Sequence, residues 1–112
     1  MTSILDTIKK MVGIDPTYNI FDTDIIVHIN ANFSTLHQLG VGPTTPFFIT
    51  DNTAVWDDFI EDKVGIESVK SYIYAKTKLA FDPPATSFAI DALKQIATEF
   101  EWRLNVKSEE VI

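Results

Sequence analysis

The sequence predicts an all-α protein, a compact bundle of four main helices and one short helix. Apolar residues recur at intervals of three and four in several separate segments, which is the spacing of a helix face. Serine, threonine or aspartate precedes several of these segments, as expected at helix N-termini. Glycine or proline follows them and ends the helical pattern. A length of 112 residues suits a single domain.

The first helix is predicted over residues 3–12. Ser3 begins an S-x-x-D capping pattern, and Gly13 marks the end of the helix. The second helix is predicted to start at Asp22, interpreted as its N-cap, and to close at Gly40. Its core stripe comprises Ile25, Ile29, Phe33 and Leu36.

Residues 40–53 form a long loop, because they hold two glycines and two prolines. Three consecutive apolar residues inside it are expected to form either a short strand or an anchor that docks on the protein: Phe47, Phe48 and Ile49. Thr53 is then expected to cap a short helix over the segment AVWDDFI, residues 54–60.

The next helix is predicted over 66–81, and the Pro83–Pro84 pair ends it. One stripe comprises Ile66, Val69, Ile73 and Ala80, and a second comprises Tyr72, Ala75 and Leu79. The last helix is predicted from Thr86 or Ser87 to about Asn105. Its stripe comprises Ala89, Leu93, Ile96, Phe100 and Leu104, with Trp102 on the opposite face.

Residues 1–106 are therefore interpreted as one helical domain, followed by a short tail over 107–112. The N-terminus carries charges and no long apolar run, so no signal peptide is expected. No stretch is apolar enough for a membrane span. The absence of cysteine excludes disulfides and thiolate sites, and the sequence predicts no cofactor.

Clustered acidic residues are the strongest candidates for a polar site: Asp57, Asp58, Glu61 and Asp62. Carboxylates in such a cluster can bind Mg²⁺, so a metal-dependent hydrolase is one alternative. The calcium-loop pattern is absent, and only Lys63 supplies a nearby cation. Two histidines, nine residues apart on one helix, cannot share a metal. A solvated acidic face is the preferred interpretation, and neither an enzyme nor a metal site is predicted.

Aromatic residues outside the predicted stripes are interpreted as contacts between subunits or with a partner, since interfaces are enriched in such side chains. The candidates are Phe47, Phe48, Ile49, Tyr74, Phe81 and Trp102. A head-to-tail contact between identical copies needs two different complementary patches on each copy. The loop around Phe48 is a candidate for one patch, and the Tyr74/Phe81 or Trp102 surface for the other.

Four stretches carry a resemblance to a known family: HINANFSTLHQLGVGP at 28–43, WDDF at 56–59, SYIYAKTKLAFDPP at 71–84 and EFEWRLNV at 99–106. In combination and spacing, they resemble the small head–tail connector or adaptor proteins of siphophages and prophages of Gram-positive bacteria. The resemblance spans roughly residues 4–106.

The resemblance implies a non-enzymatic virion protein at the head–tail interface, which is located in the host cytoplasm during assembly. It implies a homo-oligomeric ring, typically twelve-fold, beneath the portal protein after DNA packaging. Such a ring extends the DNA channel and forms the platform for a stopper or tail-completion protein. A formal net charge of −7 then suits a channel through which DNA slides without being held. The alternative is a small helical nucleic-acid-binding regulator, although no predicted helix is basic.

Overall fold

A computed structural model describes residues 3–60 and 63–110, with side chains for 3–60 and 65–106. Its five helices follow in the order α1 (Ile4–Val12), α2 (Asp22–Gln38), α3 (Trp56–Phe59), α4 (Lys63–Phe81) and α5 (Ser87–Glu110). Over the described ranges, β-structure is limited to an isolated bridge between Ser3 and Val55. The all-α prediction is confirmed.

Helix α1 begins and ends as its sequence predicts. The Ser3 hydroxyl accepts a hydrogen bond from the Asp6 amide at 3.2 Å. Gly13 adopts a left-handed conformation, with φ of 96°, and the Ile14 amide donates to the Lys9 carbonyl at 2.8 Å. The backbone therefore reverses directly after the helix, where a residue without a Cβ is favoured.

Helix α2 starts at Asp22, but Asp22 is not its N-cap. Phe21 occupies the cap position and makes no side-chain cap. The Asp22 carboxylate instead forms an ion pair with Lys9 of α1, with 2.7 Å between Nζ and Oδ1. Lys9 is fully buried. A buried ammonium group without a counterion costs more free energy than a helix end without a side-chain cap. Lys9 also donates to the Pro16 carbonyl at 2.9 Å and so fixes the α1–α2 connection.

The cap predicted for the short helix is also different. The Thr53 hydroxyl donates to Asp51 at 2.6 Å and stays within the loop. Val55 takes the cap position of α3, and its amide donates to Asp58 Oδ2 at 3.0 Å. The Thr53 hydroxyl, which the sequence predicts as the helix cap, is therefore used in an Asx turn before the helix instead.

Helix α4 packs against α1, α2 and α5 and lies at the centre of the bundle. Two stripe assignments differ from the prediction. Ala80 is exposed in the last turn of α4. Ile96 is 38% exposed, whereas Ala97 is buried together with Leu93 and Leu104, because the buried side of α5 is rotated slightly from the predicted stripe. The helical backbone of α5 also runs to Glu110, beyond Asn105, while the division into a domain and a tail stays a prediction.

The core forms one continuous cluster between all five helices and the long loop. Buried stripe residues of α2 and α4 meet in it, including Phe33 and Tyr72, each fully buried. Asn32 donates to the Thr77 hydroxyl at 3.3 Å inside this interface. The hydrogen bond gives each of these two buried polar side chains a partner.

Candidate interaction surfaces

The long loop is fastened to α2 by one asparagine side chain. The Asn30 amide group donates to the Ile49 carbonyl at 2.9 Å and accepts from the Ile49 amide at 2.7 Å. One side chain therefore satisfies both backbone groups, as a neighbouring strand would. This arrangement explains why the apolar segment of the loop docks without forming a strand.

Alternate residues of that segment point into the protein. Phe47 packs edge-on to Phe33, with ring centroids 5.0 Å apart, and lies 5.3 Å from the ring of Phe59. Ile49 is buried. Phe48, between them, is 66% exposed. Phe47 and Ile49 are covered by their own chain, so Phe48 is the residue of this segment that is available to another molecule.

Gly42 permits the loop to approach α3 closely. Its φ is 92°, and a Cβ placed there would lie 2.5 Å from two ring carbons of Phe59. The exposed Phe48 is therefore presented by a loop that lies close to α3 at Gly42 and is hydrogen-bonded to Asn30 of α2 at Ile49. A rigidly presented aromatic residue loses little entropy on binding, which favours its use in an interface.

A second exposed aromatic surface lies on α5. Phe88 is 84% exposed and Trp102 is 67% exposed. Fourteen residues separate them, so they lie within about 40° on the helix circumference and about 21 Å apart along its axis. The side that carries them is called the outer α5 face and comprises Phe88, Ala92, Gln95, Glu99 and Trp102. Sequence reasoning missed Phe88, although its spacing from Trp102 was the available signal.

Between α2 and α4 lies an open groove. Two adjoining concavities, of about 300 Å³ and about 470 Å³, share His28 and Ala80. Together they form the α2–α4 groove, lined by Asp24, Val27, His28, Ala31, Asn32, Lys76, Leu79, Ala80 and Phe81. Val27 is 60% exposed and gives the groove an uncovered apolar wall.

Aromatic rings continue the groove toward the α1–α2 connection. The Phe81 ring meets Phe21 at 5.4 Å and His28 at 6.4 Å, and Phe21 in turn meets Tyr18 at 5.9 Å. Phe81 and Tyr74 are each partly buried against the core, unlike Trp102. The contact roles of all the candidate aromatics stay a prediction, and exposure favours Phe48 and Trp102 among them.

The acidic cluster is described only in part. Asp57 and Asp58 are exposed on α3, and Asp58 caps that helix. Glu61 and Asp62 lie outside the described residues. Within the described ranges, no group of three or more histidines, cysteines or carboxylates is placed to hold a metal ion.

One buried polar group lies between three helices. Burial and the nearby charge of Glu101 raise the pKa of Tyr72 to about 12. The Tyr72 hydroxyl faces Thr35 of α2 and Glu101 of α5, without a well-formed hydrogen bond to either. The hydroxyl is closed off from solvent, so it has no access to a substrate. Nothing in this arrangement indicates catalysis.

The family model described as "Phage connector protein" matches residues 4–111. The chain belongs to the phage connector protein family. No curated protein and no solved structure matches this connector. Family membership makes it a structural protein of the phage head–tail connection, in a family that is not one of enzymes. No helix of the connector in the described ranges has the length and apolarity needed to cross a membrane.

Proposed function

We propose that the protein is a ring-forming head–tail connector subunit of a siphophage, or of a prophage, of a Gram-positive bacterium. The ring, a dodecamer in the virion, docks beneath the portal protein after DNA packaging. It extends the DNA channel and provides the attachment platform for a stopper or tail-completion protein.

The observation that carries this proposal is the presence of exposed aromatic residues on separate surfaces of a connector-family chain. Phe48 is presented by the loop, whereas Phe88 and Trp102 are presented by α5. A head-to-tail ring requires different patches on each copy, and further neighbours above and below the ring require more. Exposing a large aromatic side chain to water is unfavourable in free energy, and such side chains are common at interface hot spots.

The charge of the chain supports a channel that does not grip DNA. The net charge of −7 opposes binding to phosphates, and Asp57 and Asp58 are exposed on α3. We place the acidic face, including Asp57, at the lumen of the ring. The same charge disfavours a nucleic-acid-binding regulator.

The direct test is native mass spectrometry of the full chain, alone and mixed with its portal protein. The expected result is a portal-bound assembly containing many copies of the chain. A chain that stays monomeric with the portal present contradicts the proposal. Electron microscopy of the assembly then gives the ring size.

The lumen assignment has its own test in the assembled ring. Asp57→Lys is expected to give salt-dependent retention of double-stranded DNA, because a cation at the lumen binds phosphates. Asp91→Lys makes the same charge change on α5 and serves as the control. Equal behaviour of both variants would place Asp57 away from the lumen.

A further inference from the structure

The α2–α4 groove and the outer α5 face are two uncovered surfaces of opposite shape. The groove is concave and has an apolar wall, whereas the outer α5 face projects Trp102 into solvent. Each surface is formed by elements that the other does not use, since the groove belongs to α2 and α4. Such a pair satisfies the requirement for a head-to-tail contact between identical copies.

Two charged side chains line the groove and are available to pair with another molecule. Asp24 lines one of its concavities and Lys76 the other. Neither forms an ion pair among the described residues. A negative and a positive group therefore stand at the two ends of an apolar groove.

Matching charges lie beside the tryptophan, with Glu99 on the outer α5 face and Arg103 next to that face. Glu99 precedes Trp102 by three residues and Arg103 follows it directly. The two charged side chains pair with each other on the surface, and both are more than half exposed. An exposed pair of this kind contributes little to stability, so exchanging partners on docking costs little.

We propose that the α2–α4 groove of one copy receives the outer α5 face of the next copy, with Trp102 inserted into the groove. Arg103 then pairs with Asp24 of the neighbouring copy, and Glu99 pairs with Lys76 of that copy. This proposal rests on the proposed ring and names its contact surfaces. It leaves Phe48 free for a different neighbour above or below the ring.

The inserted tryptophan is the energetic centre of this contact. Trp102→Ala is expected to weaken self-association about 30-fold, as for an interface anchor. The fold should be unaffected because the side chain is two-thirds exposed in the single chain. Far-UV circular dichroism of the variant verifies this point. Self-association unchanged by Trp102→Ala overturns the proposal.

Cross-linking identifies the surfaces directly, since the chain contains no cysteine. The double variant Asp24→Cys/Arg103→Cys, treated with a short bis-maleimide, is expected to give a ladder of oligomers beyond the dimer. Each single variant should give no ladder. The control pair Asp24→Cys/Lys94→Cys places the second thiol on the opposite side of α5 and should give no ladder either.

The outcomes separate this contact from the ring itself. Dimers from Arg103→Cys alone indicate a symmetric contact between α5 helices and overturn the proposal. Oligomers seen by native mass spectrometry, without a ladder from the double variant, also overturn it while leaving the ring intact. Absence of any oligomer, alone or with the portal protein, contradicts the proposed function as well.

Discussion

Removing either partner of the buried Lys9–Asp22 ion pair should lower the free energy of unfolding, but by different amounts. The Lys9 side chain is 1% exposed and the Asp22 side chain is 28% exposed. Asp22→Asn leaves a buried ammonium group without a counterion, with only neutral oxygen acceptors such as the Pro16 carbonyl. Breaking a fully buried pair in this way costs about 3–5 kcal/mol. Because Asp22 is partly hydrated, we expect a loss of about 2–3 kcal/mol.

Removing the cation is expected to cost less. Lys9→Met keeps most of the buried stem volume, and the remaining Asp22 side chain is partly exposed, although its Oδ1 atom is buried. It also lies in the first turn of α2, where the helix dipole favours a negative charge. The expected loss of stability is about 1 kcal/mol or less.

Urea unfolding at neutral pH measures both variants, with helicity as the signal. The control is Lys78→Met, which removes an exposed pair with Asp82 and should change stability by about 0.5 kcal/mol or less. Equal losses for Asp22→Asn and Lys9→Met, or a larger loss for Lys9→Met, would refute the reasoning. Either result would mean that burial of the ammonium group does not govern the energy of the pair.

Three further perturbations test the loop and the core. Asn30→Ala removes both hydrogen bonds to Ile49, so it should lower the free energy of unfolding by about 2 kcal/mol and speed amide exchange in residues 40–53. Unchanged exchange would mean that Asn30 does not hold the loop against α2. Gly42→Ala should destabilise more than Gly13→Ala in thermal unfolding, because both positions have positive φ but only Gly42 lacks space for a Cβ; equal shifts would argue against the close approach. The Tyr72 pKa is raised from 10.0 to about 12 in the folded protein, so its contribution to stability is complete below pH 10 and is lost as pH rises toward 12. Tyr72→Phe should therefore flatten the fall in stability over that alkaline range, and an unchanged slope would mean that the hydroxyl is not buried.

Part of the candidate surface could be anticipated from residue type and helical spacing. Trp102 was assigned to the side of its helix opposite the core stripe, and it is exposed. Phe47, Phe48 and Ile49 look equivalent in the sequence, yet only Phe48 is exposed. The difference arises from the Asn30 hydrogen bonds to Ile49, which fix which side of the extended segment faces α2. A contact across nineteen positions leaves no local signal.

The α2–α4 groove was also beyond sequence reasoning. Ala80 was predicted to be buried by its helical spacing, but it lines the open groove. Periodicity reports which residues share a side of a helix, and not whether another helix covers that side. Coverage depends on how α2 and α4 pack, which only the assembled bundle defines.

The sequence by itself determined the helical class, the central stripes of α2 and α4, and the Ser3 and Gly13 ends of α1. These features depend on contacts within a few residues, where spacing and backbone preference dominate. The tertiary structure alone decided the use of Asp22, because its partner Lys9 lies on another helix. The use of Thr53 was decided locally, by an Asx turn with Asp51 two residues away. Asp22 pairs with Lys9 and does not cap α2, because a buried charge without a partner costs more free energy than an uncapped helix end.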